Sequence, residues 1–298
     1  MFNQIFVSYL TKKNTVSPEQ AKEVLEVQKN TRIRIGVLAT EEKLMTNEQV
    51  EQVNGLQSSK NMRFGDIAVE MGYLTKEQLE SLLTKQPREH IILKQILGDR
   101  KYIDSEKFDL ELDNFKSELR VCDYDFGKLL DNDIETYISH IAKIDGGDLI
   151  LSEYAKLFIA YIIRFIDREV FVKEACNFNI KPDTYKFAVG QNVTGDAADT
   201  LMFASGDLKA ARIFAEIFAK FNFDDETCEE DTQDAVKEFL NCVSGILVSE
   251  LSNSGIMELD LKVPKYYSSG ELSFTGETTV LPLSLSIGDF YVFVKKNQ

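Results

Sequence analysis

Histidine appears only twice in this sequence and cysteine four times, at Cys122, Cys176, Cys228 and Cys242, never in a CxxC spacing. A disulfide framework or a zinc site is therefore not expected. Neither His90 nor His140 has a nearby Ser or Cys that would make it the base of a nucleophile. His140 reads as a structural histidine within a helical pattern, and His90, just after Pro87, as an exposed one. No cluster of carboxylates with histidines suggests a catalytic metal. No apolar run approaches the ~18 residues that a membrane span requires. The opening MFNQIFVSYLTKKN also lacks the basic-then-apolar order of a signal peptide. These absences predict a cytoplasmic protein with reduced thiols, no membrane span and no metal of its own.

What is present divides in two. The chain has 298 residues, room for two domains with real cores, and a net charge of -15. Residues 1–117 are close to neutral, so almost all of that charge lies beyond them. Such acidity repels phosphate backbones and argues against a nucleic-acid partner.

The first half repeats itself. VSPEQAKEVLEVQ, MTNEQVEQVNGLQ and LTKEQLESLLTKQ end at Gln28, Gln57 and Gln86, and a worn copy, IDSEKFDLELDNF, ends at Phe115, always 29 residues apart. Each copy opens on a capping residue (Ser17, Thr46, Thr75, Asp104). Gln20, Gln49 and Gln78 complete capping boxes in the first three, and Pro18 suits a first helical position. Residues 1–117 are thus expected to be an all-helical tandem array of 29-residue repeats, followed by a helical linker over 118–148 that DGGD (145–148) closes.

The two middle copies, RIGVLATEEKLMTNEQVEQVNGLQ and RFGDIAVEMGYLTKEQLESLLTKQ, resemble the MshEN domain found at the N-termini of type II secretion and type IV pilus ATPases. Tandem copies in that family bind cyclic di-GMP. The resemblance implies a ligand set of Arg34, Gly36 and Gln57 in one copy and Arg63, Gly65, Gly72 and Gln86 in the other. Arg can pair with a guanine edge or phosphate, and Gly lets the backbone approach closely. Lys43 stands where the first copy should have Gly, and Asn54 where it should be apolar. The outer copies have Ile5 and Val7, or Ile92 and Lys94, in place of Arg and Gly. A helical docking or dimerisation module is the alternative reading.

Residues 149–298 alternate between helix and strand patterns, giving an α+β protein as a whole. LSEYAKLFIAYIIRFIDR and LKAARIFAEIFAKF read as helices, and VFVKEACNF, IMELDLKVP and VLPLSLSIGDFYVFV as strands. TYKFAVGQNVTGDAADTLMFAS reads as a hairpin broken at Gly190 and Gly195. GQNVTGD has phosphate-loop glycine spacing but no following Lys-Ser/Thr, so that reading fails. The acidic run DDETCEED reads as a solvated loop. It leads into a helix over 231–252, with Asp231 or Thr232 as cap. Val236, Phe239, Leu240, Val243, Ile246 and Leu247 form its apolar stripe. Asp234, Glu238 and Asn241 fall off that stripe, the last two one turn apart on one face.

That helix resembles the signature of the CheC/CheX/FliY chemotaxis phosphatases: Asp or Ser, three residues, Glu, two residues, Asn, twenty-two residues, Pro. Here the positions are Asp234, Glu238, Asn241 and Pro264. The resemblance implies a CheX-like α/β domain with an antiparallel sheet and long helices, acting on a phosphorylated response-regulator receiver domain. In that role Asn241 holds the attacking water, Glu238 pairs with a receiver lysine, Asp234 is a lesser contact and Pro264 is structural. Mg²⁺ would belong to the receiver. CheC-type members carry a second signature in their first helix, where this chain has Lys156 and Ile159. One active face is implied, as in CheX, whose members tend to dimerise. The alternative is a non-enzymatic adaptor, whose repeats dock to pilus, secretion or flagellar machinery while the second domain binds a phosphorylated receiver without hydrolysing it. A cyclic di-GMP sensor joined to a phosphatase implies regulation, in which the nucleotide alters access to Asn241 or dimer geometry.

Overall fold

The computed structural model describes residues 1–60, 62–84, 88–144, 148–168, 170–177, 185–196, 199–224, 228–268, 271 and 278–296. Gln86 and the glycines of DGGD lie outside them. Contacts divide the chain into two compact units, Phe2–Asp131 and Asn132–Gln298, with Met1 grouped with the latter. Among the described residues no helix is long and apolar enough to cross a membrane.

The first unit is helical: α1 (Phe2–Lys12), α2 (Pro18–Val27), a 3₁₀ turn (Gln28–Asn30), α3 (Ile35–Glu41), α4 (Asn47–Lys60), α5 (Phe64–Glu70), α6 (Lys76–Thr84), α7 (Glu89–Asp99), α8 (Ser105–Leu119) and α9 (Asp123–Leu130). The capping residues act as the spacing predicts. Ser17 closes a complete capping box with Gln20. The Thr46 N–H donates to Gln49 Oε1 at 2.9 Å and the Gln49 N–H returns to Thr46 Oγ1 at 3.3 Å. Thr75 and Gln78 do the same at 2.8 and 3.1 Å. Asp104 caps α8.

The period extends to the turns that precede these caps. Asn14, Lys43, Gly72 and Lys101 are all left-handed, at φ 56°, 56°, 72° and 58°. The N–H of the following residue, Thr15, Leu44, Tyr73 or Tyr102, donates at 2.9 Å to the carbonyl of Leu10, Ala39, Ala68 or Leu97. Val16, Met45, Leu74 and Ile103 come next and are buried. Lys43 therefore keeps the glycine conformation without being glycine, at a steric cost.

His90 is not exposed but 5 % accessible, edge-on to Phe2 with ring centroids 6.2 Å apart. It belongs to the buried face of α7, beside Ile91 and Leu93, rather than to a loop after Pro87. Burial, with smaller contributions from Arg88 and Lys94, lowers its pKa to about 4.

Among the described residues the second unit comprises α10 (Ile134–His140), α11 (Leu149–Phe165), α12 (Leu208–Ala219), α13 (Cys228–Asn253) and eight strands. These are β1 (Phe171–Val172), β2 (Cys176–Asn177), β3 (Phe187–Gly195), β4 (Asp199–Ser205), β5 (Leu259–Leu261), β6 (Lys265–Ser268), β7 (Thr278–Leu285) and β8 (Gly288–Lys296). They form one antiparallel sheet in the order β1-β7-β8-β4-β3-β5, with β2 also on β7 and β6 also on β3. β3 and β4 are the expected hairpin, paired from Phe187↔Ser205 to Val193↔Asp199, although Gly190 lies inside the strand and does not break it.

Three details differ from the sequence reading. VFVKEACNF is split into β1 and β2, each too short to run on, and VLPLSLSIGDFYVFV is a hairpin of β7 and β8. The last residues of the acidic run, Cys228–Asp231, are the first turn of α13, where Glu229, Glu230 and Asp231 favour the positive end of the helix. Asp231 and Thr232 are thus inside the helix and do not cap it; the Thr232 hydroxyl donates back to the Cys228 carbonyl.

Lys43→Gly should raise the stability of the helical unit by roughly 1 kcal/mol, because glycine takes the left-handed conformation freely; chemical denaturation of the two proteins measures this. Unfolded His90 should titrate near the ordinary histidine value of about 6.5 and so binds protons more readily than in the folded state. Its stabilising burial is complete above that pH and lost on acidification toward a pKa of about 4. Melting curves between pH 7 and 5 should show a shallower pH slope for His90→Leu than for the native protein.

Candidate active site

Phe239 fixes the orientation of α13. Its ring lies 5.3 Å from Phe158, 5.0 Å from Phe214 and 5.2 Å from Phe218, edge-on to each, with Phe203 beyond at 6.4 Å. Val236, Leu240, Val243 and Leu247 are fully buried on the same side. With the stripe held against α11, α12 and the sheet, Asp234, Glu238 and Asn241 are left exposed. The face expected from the spacing is the face observed.

The structure adds a residue that the sequence reading missed. Gln191, from the middle of β3, is 1 % exposed, and its Nε2 donates to Asn241 Oδ1 at 2.9 Å and to the Lys262 carbonyl at 2.9 Å. Lys262 is itself held by its N–H, which donates to the Asn192 carbonyl at 2.9 Å. The loop carrying Pro264 is thereby tied to β3 on one side and to the signature helix on the other. The signal for Gln191 was present: an amide between Val189 and Val193 on the buried face of a strand must find a partner.

Together Gln191, Asp234, Lys237, Glu238, Asn241, Leu261, Lys262, Val263 and Pro264 line an open depression of about 500 Å³. All four signature positions meet there, across a gap of twenty-two residues between Asn241 and Pro264. Asp234 pairs with Lys237 at 3.1 Å on the helix surface. Cys242 Sγ lies 3.6 Å from Glu238 Oε1. Burial, then the Glu238 charge, raises the Cys242 pKa, so the thiol stays protonated and is no nucleophile. Val263, 81 % exposed, stands as an apolar lip on the depression. At the place of a second signature, Ile159 is fully buried and Lys156 pairs with Glu153 at 2.9 Å. Among the described residues no three His, Cys, Asp or Glu side chains gather as a metal site would require.

The residues expected to bind a nucleotide are only partly brought together. Arg34, Gly36 and Gln57 line one cavity of the helical unit, about 680 Å³, with Asn54, Phe64, Lys94 and Gln95. There the Arg34 guanidinium pairs with Asp99, and Glu41 and Glu51 also line the wall. A side chain at Gly36 would meet Val50 at 2.9 Å, and one at Gly65 would meet Leu79 at 2.6 Å, so both glycines serve helix packing. Arg63, exposed at the start of α5, Gly65 and Gly72 do not line this cavity. Gln86 is outside the described residues.

No family model matches the chain, and no curated protein matches it. Solved structures do. The CheX–CheY–BeF3–Mg²⁺ complex from Borrelia burgdorferi is 16 % identical, covering 50 % of this chain and 98 % of that one, with a TM-score of 0.43. A CheC-like protein from Shewanella is 15 % identical over 50 % of this chain and 97 % of its own, at 0.43. FliY from Thermotoga maritima is 15 % identical over 55 % and 90 %, at 0.37.

Proposed function

We propose that the second unit hydrolyses the aspartyl phosphate of a response-regulator receiver domain, with Asn241 and Glu238 as its catalytic residues. The observation that carries this is the Asn241 carboxamide. It stands exposed on a rigid helix, one turn from the Glu238 carboxylate, with its oxygen already bonded to Gln191.

An acyl phosphate is reactive enough that the enzyme need only place water in line with the bond to be broken. Asn241 donates an amide hydrogen to that water, leaving a lone pair free for phosphorus. The water oxygen forms the new P–O bond while the aspartyl carboxylate leaves with the electrons of the old one. The displaced proton ends on inorganic phosphate. Glu238 pairs with a receiver lysine and fixes the docked face, and Val263 supplies apolar contact beside it. Mg²⁺ is brought by the receiver as part of the substrate. The depression suits such a reaction. Open, shallow and flanked by charges of both signs, it accepts a protein surface and does not enclose a small molecule.

Cyclic di-GMP acting through the helical unit is the regulatory part of the proposal. Supporting it, Arg34, Gly36 and Gln57 share one cavity. Binding there requires Arg34 to exchange Asp99 for the ligand. Calorimetry should show cyclic di-GMP binding to the native protein and a weakening on the order of tenfold or more in Arg34→Ala, the loss of one charged hydrogen-bonding group. No heat of binding with the native protein removes the nucleotide from the scheme.

The phosphatase itself is tested by acyl-phosphate decay on a panel of purified receiver domains. Native protein should accelerate decay of at least one receiver. Asn241→Ala should lower the rate by about 100-fold or more while still binding. Binding without acceleration across the panel would make the protein an adaptor.

A further inference from the structure

We propose that Gln191 is the positioning residue of this site, setting which edge of the Asn241 carboxamide faces the phosphoryl group; this rests on the phosphatase reading above. The assignment comes from two forced hydrogen bonds. A main-chain carbonyl only accepts, so the Gln191 atom 2.9 Å from the Lys262 oxygen is its NH₂. The same NH₂ lies 2.9 Å from the Asn241 side chain and must meet the oxygen there. Asn241 Nδ2 is therefore the edge left over, and among the described residues nothing pairs with it.

Gln191 is well placed to impose this choice. It sits mid-strand in register with Leu201, and it is almost fully buried, so it has little freedom to turn. An exposed asparagine alone would flip readily about its broad terminal torsion and offer either edge. The arrangement has a cost that packing alone does not explain. Gln191 Oε1 is buried without a partner, whereas Val189 and Val193 on the same strand face are plain apolar side chains. A buried amide that bridges the Pro264 loop to Asn241 is what holding the catalytic side chain requires.

The test is Gln191→Met, which keeps length but neither donates nor accepts a conventional hydrogen bond, with circular dichroism and melting to check the fold. With a receiver whose acyl phosphate the native protein removes, kcat should fall about tenfold, one hydrogen bond's worth, while KM for the receiver stays unchanged. In an Asn241→Ala background the same change should have no further effect on the residual kcat, because Gln191 reaches the chemical step through Asn241. A native rate in Gln191→Met, an effect on KM alone, or an equal loss in both backgrounds overturns the proposal. Where the native protein accelerates no receiver, the phosphatase reading fails instead, and the contact is read separately. The Gln191 side-chain NH₂ resonances should shift in Asn241→Ala, a variant at an exposed position; unmoved resonances show that the contact does not exist, and this measurement also decides the matter if Gln191→Met does not fold.

Discussion

The second unit depends on Phe239 being inside. The helix advances about 100° per residue, so a ring locked among Phe158, Phe214 and Phe218 leaves no choice for its neighbours: Glu238 and Asn241 must face out. Burying one such ring contributes about 2–3 kcal/mol, and replacing it with alanine in a packed core costs about 3–5 kcal/mol. The Asp234–Lys237 ion pair on α13 does not approach that, being exposed and with little effect on stability. The aromatic cluster thus sets the geometry of the polar face without touching it.

From that anchor the site is assembled by long-range contacts. α13 supplies the carboxylate and carboxamide, β3 supplies Gln191, and the segment between β5 and β6 supplies the Lys262 carbonyl and Pro264. Antiparallel pairing makes this possible. β3 pairs with both β5 and β6, so the segment joining them is carried back to the very strand that bears Gln191. The depression is a product of sheet topology as much as of the helix.

The parts legible in sequence were those with a local period. Apolar spacing located α13 and its exposed face, and Ser/Thr followed by Gln three residues on located the starts of α2, α4 and α6. Parts governed by distant partners were not legible. Gln191 finds Asn241 fifty residues away. His90 follows a proline, a loop signal, yet tertiary packing against Phe2 buries it. The acidic run read as a loop because its charge outweighed its helical register, while a helix start tolerates that charge. In the helical unit the departure at Lys43 is absorbed by the backbone: the turn geometry repeats even where the glycine does not. The residues expected to bind a ligand do not all follow, since Arg34 and Arg63 occupy equivalent places in two repeats and, of the two, Arg34 alone lines the cavity.

The most direct measurement is a crystal structure of the protein with a receiver domain carrying beryllofluoride, a stable mimic of the acyl phosphate. The expected result places the Asn241 side-chain nitrogen within hydrogen-bonding reach of the fluorides or of a water in line with them, its oxygen still on Gln191. A receiver seated away from α13, or one with Asn241 turned from the mimic, would contradict the assignment of hydrolysis to this face.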